Sequence, residues 1–312
     1  MLYRSMICAA LLLAWSSHAC ADDKVAPTLR GHDGWVSAAL YLPDSRRIVS
    51  GGVDDTIRIW DVSSGKELRR IKADGKGVTC LALSADGRRI IAGNWDSTVK
   101  IWGVENGEAT LTLRGHKENI TSVACSLDGK HIASSSGDDT FKIWDAITGK
   151  VLRTLEHSNE YDITAVAFTP DGRRIVSADG EGNLKIWDVK SGEEPINLEG
   201  HERSISSLAI SADGKCLATA SQDQTVRVWE VSTGKLLSTL RGHTDDVTCV
   251  AISPDGGRIV SGSEDKSIIV WKTKTGKEIT TCKEHDNRIA CVAFRPDGKR
   301  ILSGTKGILR QN

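Results

Sequence analysis

The sequence predicts an all-β protein in which seven similar four-stranded antiparallel sheets form a single domain. Six tryptophans recur at intervals of 42 or 43 residues: Trp60, Trp102, Trp144, Trp187, Trp229 and Trp271. The text around them recurs too, for example as "DDTIRIWDV" and "DDTFKIWDA". A fixed period of this length is typical of a stack or ring of like units. One repeated unit therefore accounts for most of the chain.

Each unit opens with a short run of β-branched and small residues, which predicts its first strand. The seven runs are "VSAALY", "VTCLAL", "ITSVAC", "ITAVAF", "ISSLAI", "VTCVAI" and "IACVAF". In six units an Asp-Gly pair follows, the first at Asp86-Gly87 and the last at Asp297-Gly298. Asp-Gly between apolar runs is a strong hairpin signal, because glycine takes positive φ without a Cβ clash. These turns predict a second strand paired with the first.

Two further strands complete each unit. The third ends at the repeated tryptophan, and a turn with a glycine such as Gly65 or Gly107 begins the fourth. One small sheet leaves its edges and faces uncovered, and radial packing of several sheets covers them. Residues 24–30, "KVAPTLR", match the fourth-strand pattern. We therefore expect this N-terminal strand to complete the last sheet and close a ring.

The repeats resemble those of WD-repeat β-propellers over residues 22–312. The matching motifs are Gly-His pairs at residues 31–32, 115–116, 200–201 and 242–243, and Trp-Asp pairs at residues 60–61, 144–145 and 187–188. The resemblance implies a seven-bladed β-propeller of four-stranded antiparallel sheets. Its last blade would be completed by the N-terminal strand and would be atypically short.

The resemblance also implies a hydrogen-bonded set of His, Ser or Thr, Asp and Trp within a blade. Four units carry the complete set: His32, Ser50, Asp54 and Trp60; His116, Ser134, Asp138 and Trp144; His201, Thr219, Asp223 and Trp229; His243, Ser261, Asp265 and Trp271. His, Ser and Asp together could suggest a hydrolase triad. Because the set recurs at the repeat period and ends in an indole donor, we interpret it as structural.

The second and fourth units depart from this set of four residues. The second has Asp74 in place of the histidine and Ala92 in place of the serine. The fourth has Glu181 in the aspartate position, and its altered "LEHSNEYD" loop places His157 out of register. We expect both blades to lack part of the hydrogen-bonded set.

The seventh unit departs at its end. It keeps His285 and Ser303, but Gly307 stands at the aspartate position and the sequence reaches Asn312 one residue before a tryptophan is due. We expect closure between this unit and residues 24–30 to be the least stable part of the fold.

The N-terminus has the features of an export signal. Arg4 supplies the positive charge, residues 6–15 are apolar, and Ala19-Cys20-Ala21 provides small residues before Asp22. We predict a signal peptide at residues 1–21, a single propeller domain at residues 22–312, and a periplasmic or extracellular location. A lipid anchor through Cys20 is the less favoured alternative, because the residues before it lack the usual Leu. An uncleaved anchor is a third.

Six cysteines follow the predicted signal peptide, and their positions favour packing over disulfides. Cys80, Cys249 and Cys291 align with Ala or Ser in the other units, and Cys125 aligns with Leu83. A free cysteine behaves as a small hydrophobic residue. A contact between Cys249 and Cys291 remains the alternative.

Charge and motifs exclude several function classes. The 41 basic and 41 acidic residues balance, so no global field favours nucleic acid. The sequence has no phosphate-binding loop, dinucleotide-binding glycine motif, haem attachment motif or metalloprotease motif. We therefore predict no catalytic residue, no metal and no cofactor.

The resemblance implies a binding face formed by the loops before the first strand and the loops before the turn aspartate. These positions hold Trp35, Gly77, Asn119, Asp162, Ser204, Asp246 and Arg288, and then Val53, Trp95, Gly137, Gly180, Gln222 and Glu264. We predict Trp35, Trp95, Asp162, Asp246, Glu264 and Arg288 as partner-binding residues. Tryptophan is common among interface hot spots, and carboxylates around it favour a basic partner. The alternative is that both tryptophans only pack on neighbouring loops.

Together these observations predict an exported, monomeric scaffold that binds a protein or peptide with basic residues and has no catalytic activity. The competing hypothesis is a propeller enzyme or carbohydrate-binding protein with its site at the mouth of the central channel.

Overall fold

The computed structural model describes residues 28–157, 161–191, 195–283 and 285–311. Every regular element in these ranges is a β-strand. No helix long and apolar enough to cross a membrane occurs in them.

The strands follow the predicted units. The first blade comprises the second half of β1 (Leu29–Tyr41), β2 (Arg47–Gly52), β3 (Thr56–Asp61) and β4 (Glu67–Lys72). The second comprises β5 (Val78–Leu83), β6 (Arg89–Asn94), β7 (Val99–Gly103) and β8 (Ala109–Leu113). The third comprises β9 (Ile120–Cys125), β10 (His131–Ser136), β11 (Thr140–Asp145) and β12 (Val151–Glu156).

The remaining blades repeat this order. The fourth comprises β13 (Ile163–Phe168), β14 (Arg174–Asp179), β15 (Leu184–Asp188) and β16 (Ile196–Leu198). The fifth comprises β17 (Ile205–Ile210), β18 (Cys216–Ser221), β19 (Thr225–Glu230) and β20 (Leu236–Arg241). The sixth comprises β21 (Val247–Ile252), β22 (Arg258–Ser263), β23 (Ile268–Lys272) and β24 (Glu278–Cys282). The seventh comprises β25 (Cys291–Phe294), β26 (Ile301–Gln311) and the start of β1.

Strand β1 belongs to two blades, because the first and last blades form one six-stranded sheet in the order β25-β26-β1-β2-β3-β4. Leu29 and Arg30 pair antiparallel with Leu309 and Ile308, whereas residues 36–41 pair with β2. The predicted completion of the last blade by the N-terminal strand is therefore confirmed. Residues 24–27 of that predicted strand lie outside the described residues.

Strand β26 supplies two strands of the seventh blade. Its first part pairs with β25 and its second part pairs with β1. A Cβ on Gly304 would lie 3.1 Å from Leu309 Cδ2. Five residues of extended chain would span about 16 Å, so the chain must reverse between these two residues. The seventh blade is thus as short as the sequence predicts.

The innermost strands form a closed ring. Each packs against the innermost strand of the next blade, in the order β1, β5, β9, β13, β17, β21, β25 and back to β1. They enclose a central cavity of about 240 Å³. The fold is therefore a seven-bladed β-propeller.

The hydrophobic core lies between blades rather than within one sheet. Val49 and Ile57 of the first blade cluster with Val78 and Ile90 of the second. Trp60 clusters with Leu302 of the seventh blade, across the closing seam. Burial of each such large side chain stabilises the fold by roughly 1.5 to 3 kcal/mol. Neighbouring blades therefore stabilise one another.

Hydroxyl groups beside the axis add bonds between blades. Ser37 donates to Val78 O at 2.6 Å, and Thr248 donates to Ile289 O at 2.6 Å. Thr121 and Thr164 donate in the same way to carbonyls of the following blade. We call these four bonds the axial hydroxyl bonds. They join the first blade to the second, the third to the fourth, the fourth to the fifth and the sixth to the seventh.

The cysteines follow the packing prediction with one exception. Cys80, Cys125, Cys216, Cys249 and Cys291 are free. Burial raises the pKa of Cys80 to about 11 and of Cys249 to about 12, so both stay protonated at neutral pH. Our expectation of packing alone is wrong for Cys282, which is disulfide-bonded. Cys282 lies in β24, a strand at the outer edge of its sheet, and is partly buried against a core cluster that includes Ile268 and Val292.

Candidate docking face

The hydrogen-bonded set of the first blade links three strands. His32 Nδ1 lies 3.0 Å from Asp54 Oδ1, and His32 Nε2 lies 2.8 Å from Ser50 Oγ. Trp60 Nε1 donates to the same Ser50 oxygen at 2.8 Å. Asp54 also accepts from the Asp33 backbone N–H at 3.0 Å. The set thereby fixes the loop that enters the first blade.

Three other blades contain the same arrangement. The His-Asp and His-Ser/Thr distances lie between 2.7 and 3.0 Å. The indole N–H donates at 2.8 or 2.9 Å. The residues are His116, Ser134, Asp138 and Trp144; His201, Thr219, Asp223 and Trp229; and His243, Ser261, Asp265 and Trp271.

One arrangement of protons satisfies every member of the first set. An ionised carboxylate only accepts, so His32 Nδ1 carries the proton and Nε2 accepts from the Ser50 hydroxyl. Burial lowers the pKa of His32, against the opposing effect of Asp54. Burial alone would raise the pKa of Asp54, but hydrogen bonds from His32, Thr56 and the Asp33 N–H lower it to about 2. The serine oxygen is thus an acceptor for Trp60 rather than a nucleophile.

The fourth blade corrects our interpretation of Glu181. His157 Nδ1 lies 3.2 Å from Asp179 Oδ2, so His157 has a carboxylate partner after all. Asp179 also accepts from the backbone N–H groups of Glu181 and Asn183 at 3.0 and 2.8 Å. Glu181 itself is exposed. The sequence did contain a signal for this pair, because His157 and Asp179 are 22 residues apart, as His32 and Asp54 are.

The fourth set is still incomplete at its other end. Trp187 Nε1 donates to Ser177 Oγ at 2.7 Å. His157 Nε2 is buried and has no hydrogen-bond partner among the described residues. The serine and histidine are thus not joined as they are in the complete sets.

The second and seventh blades hold what remains of the set. In the second, Asp96 accepts from the Thr98 hydroxyl and backbone N–H, and the Lys100 amine donates to Asp74 O at 2.7 Å. In the seventh, His285 Nε2 lies 2.8 Å from Ser303 Oγ. Burial lowers the pKa of His285 to about 4, so it is neutral at pH 7.

The loop-bearing face has a regular construction. In six blades the residue before the first strand and the residue before the turn aspartate are joined by a backbone hydrogen bond of 2.9 to 3.1 Å. The pairs are Trp35 with Val53, Gly77 with Trp95, Asn119 with Gly137, Asp162 with Gly180, Ser204 with Gln222, and Asp246 with Glu264. The predicted binding positions therefore lie side by side around the channel mouth on a rigid frame.

The first and second blades supply the apolar part of this face. Trp95 is 53% exposed and Val53 is 41% exposed, whereas Trp35 is half-buried. Gly77 lies between them with φ +120°, and a Cβ there would come within 2.9 Å of Trp95 Cδ1 and 3.2 Å of Val53 O. Because a side chain at Gly77 would displace the indole, glycine keeps this apolar surface continuous.

Trp35 is covered in part by a charged side chain. The Arg288 guanidinium carbon lies 4.6 Å from the centroid of the Trp35 ring. Arg288 Nη1 donates to Glu264 Oε1 at 2.7 Å. The structure thus brings together three of the predicted binding residues, which belong to the sixth, seventh and first blades.

Carboxylates occupy other parts of the rim. Around Gly137, a Cβ would meet Glu118 Oε2 at 3.0 Å and Asp162 Oδ2 at 3.5 Å. Burial and the nearby Asp245 and Glu264 charges raise the pKa of Asp246. Asp162 lies across the channel mouth from Arg288 and is not joined to it. Glu118 belongs to this rim although sequence reasoning did not select it.

The central channel offers no comparable chemistry. Its lining consists of small and aliphatic residues of the innermost strands, among them Ser37, Thr79 and Thr248, and includes no carboxylate or histidine. Within the described ranges, no three His, Cys, Asp or Glu side chains are placed to hold a metal ion.

A repeating ring of blades with a His-Ser-Asp-Trp network places the protein among the seven-bladed propellers. The sequence model described as "WD domain, G-beta repeat" matches seven times, at residues 23–61, 65–103, 107–145, 149–188, 192–230, 234–272 and 276–311. The chain therefore belongs to the WD-repeat family. Members of this family are typically protein-interaction scaffolds.

Curated relatives share single stretches of the chain. The nuclear distribution protein nudF of Aspergillus niger is 41% identical over 59 residues, which is 19% of this chain and 13% of nudF. The nuclear distribution protein PAC1 of Yarrowia lipolytica is 44% identical over 55 residues, or 17% and 13%. The small ribosomal subunit protein RACK1z of Arabidopsis thaliana is 37% identical over 54 residues, or 17% and 16%. Each match thus spans less than a fifth of the relative's length.

Proposed function

We propose that this protein is an exported docking scaffold that binds a protein or peptide carrying basic residues on its loop-bearing face. The observation that carries the proposal is the exposed apolar surface of Trp95 and Val53, held on a backbone frame whose rim carries carboxylates in other blades.

The binding part of the proposal follows from surface chemistry. Exposed tryptophan that is fixed in place loses little conformational entropy on binding and buries a large area, which is why it is common in interface hot spots. Carboxylates at the rim attract basic partners and repel acidic ones. The buried histidines and serines form hydrogen bonds within their blades, so we propose no catalytic role for them.

The binding experiment compares affinity capture by the native protein and by a Trp35→Ala, Trp95→Ala double variant from an extracellular or periplasmic fraction. We expect the double variant to lose at least about 2 kcal/mol of binding free energy for the captured partner, the cost of removing an aromatic anchor. The matched control is Ile147→Ala, because Ile147 is 77% exposed but lies in the turn between β11 and β12, on the opposite side of the ring. Equal capture by all three proteins would refute the proposed face.

The export part of the proposal rests on residues 1–21 of the sequence. Cleavage after Ala21 would remove residues 1–21, including Cys8 and Cys20. Intact-mass measurement of the exported protein tests this, and we expect a chain that begins at Asp22. A mass that includes residues 1–21 or a lipid on Cys20 contradicts it.

A further inference from the structure

Three residues from three different blades meet on the loop-bearing face. The guanidinium of Arg288 stacks on the Trp35 ring at 4.6 Å and donates to Glu264 at 2.7 Å. The Arg288 side chain is 50% exposed and the Glu264 side chain 34% exposed. The contact therefore lies at the surface, where solvent and another molecule can reach it.

This geometry is suited to a guanidinium group. A planar guanidinium stacks on an indole face and at the same time donates in its own plane to a carboxylate. Trp35 supplies the aromatic face and Glu264 the acceptor. Exposed ion pairs and exposed cation–π contacts are each weak, so the chain's own arginine holds this position loosely.

We propose that Trp35 and Glu264 form an arginine-binding site of the docking face, which Arg288 fills in the free protein and an arginine of the partner fills in the complex. The inference rests on the proposed function, because it concerns the same face. Arg288 competes with the partner for the Trp35–Glu264 site. It thereby lowers the affinity of the docking face for basic segments that have no arginine placed to displace it.

The charges around the site match such an exchange. Asp245 and Glu264 lie near Asp246, and burial together with their charges raises the pKa of Asp246. Displacement of Arg288 would leave Glu264 without its ion-pair partner, and an incoming arginine replaces that charge. The occupant is therefore an arginine rather than an apolar or acidic side chain.

The two tryptophans of the face then have different roles. Within the described residues, cation–π contacts involve the rings of Trp35, Trp60, Trp187 and Phe294 but not Trp95. Trp95, with Val53, presents apolar surface. Trp35 presents a ring face that is already engaged with a cation.

The test uses hexa-arginine and hexa-lysine peptides as probes in calorimetric titrations of the full chain. We expect Arg288→Ala to bind hexa-arginine roughly three- to tenfold more tightly than the native protein, because the internal competitor is gone. Hexa-lysine binding should change less, since an ammonium cannot stack on the ring while donating in the plane. Adding Trp35→Ala or Glu264→Gln to Arg288→Ala should abolish the gain.

The matched control is Arg241→Ala, which removes the same charge from the exposed end of β20 in the fifth blade. An equal gain in Arg288→Ala and Arg241→Ala, or a weaker binding in Arg288→Ala, would overturn the proposal. If Trp35→Ala does not fold, Glu264→Gln provides the same comparison. Loss of capture by the Trp35→Ala, Trp95→Ala double variant together with unchanged hexa-arginine binding in Arg288→Ala would leave the docking face intact and reject only this inference.

Discussion

His157 and Asp179 show how a residue can keep its role while its position in a sequence alignment shifts. In the complete sets the aspartate lies four residues after the serine, whereas Asp179 lies two residues after Ser177 at the end of β14. The structure keeps the His-Asp contact, at 3.2 Å, and gives up the His-Ser contact. Which side chains meet depends on their positions in the folded blade, and an alignment of the repeats does not show those positions.

We expect Asp179→Asn to lower the free energy of unfolding by about 2 to 3 kcal/mol. The amide nitrogen of asparagine is a donor, and it would face other donors that now bond to a carboxylate oxygen. Asp179 accepts from His157 and from Asn183 Nδ2 on the same oxygen. Urea unfolding followed by tryptophan fluorescence measures the change. The control is Glu181→Gln, an exposed position where we expect less than about 0.5 kcal/mol. Similar losses in the two variants would show that Asp179 has no special role.

Sequence reasoning located most side chains of the face but not their contacts. The positions of Trp35, Trp95 and Glu264 followed from the resemblance to WD repeats, applied to each unit through the repeat period. The stacking of Arg288 on Trp35 did not, because it joins the seventh blade to the first and therefore depends on how the ring closes. Periodicity within a blade carries no information on contacts between blades.

At the scale of the strand, the innermost strands combine two tasks. Their apolar side chains pack into the core between blades, and hydroxyls such as that of Thr248 form the axial hydroxyl bonds. Arginines at the starts of second strands add a further connection, since Arg89 donates to Gly129 O and Ala146 O of the next blade at 3.0 and 3.1 Å. Backbone carbonyls thus serve as acceptors for side chains of the preceding blade.

We expect Thr248→Val to lower the free energy of unfolding by about 1 kcal/mol, because it keeps the shape of the side chain but removes the hydroxyl that bonds to Ile289 O and lies 3.0 Å from Gly262 O. The control is Thr79→Val at the same position in β5, where the hydroxyl donates to Cys80 Sγ at 3.5 Å within its own strand. Chemical denaturation of both variants gives the comparison. If Thr79→Val lowers the free energy of unfolding as much as Thr248→Val does, the axial hydroxyl bonds do not stabilise the fold.

The strands themselves were predictable because the apolar runs, the period and, in six of the seven units, the Asp-Gly turns agree. The exceptions have local causes. Strand β16 is only three residues long, Ile196–Leu198, in the unit whose loops differ most from the others. Strand β26 passes through its turn with Gly307 at the position where the other units carry an acidic residue.

At the scale of the whole molecule, stability depends on closing the ring. The seam between β1 and β26 consists of three described residue pairings with an irregularity between Arg30 and Trp35. In contrast, β2 and β3 pair regularly over five residues. Leu29 and Leu309 are each 1% exposed, so apolar burial supports the seam where backbone pairing is sparse.

We expect amide hydrogen exchange to be faster at residues 24–30 and 299–311 than in the third and fifth blades. Fewer cooperative backbone bonds hold the seam, and local opening there leaves the other blades intact. Exchange followed by mass spectrometry of peptides tests this, with β18 and β19 as the internal reference. Equal protection in all these segments would contradict the expectation that closure is the weakest part of the fold.

Because one strand serves both the first and the last blade, the order of synthesis matters for assembly. Gln311 donates to Val62 O across 249 residues of chain, and Leu29 pairs with Leu309. Pairings so distant along the chain form slowly, since a large loop must close first. During synthesis, β1 therefore leaves the ribosome long before β26 exists. In that interval the unpaired edge of β1 needs protection from other nascent chains.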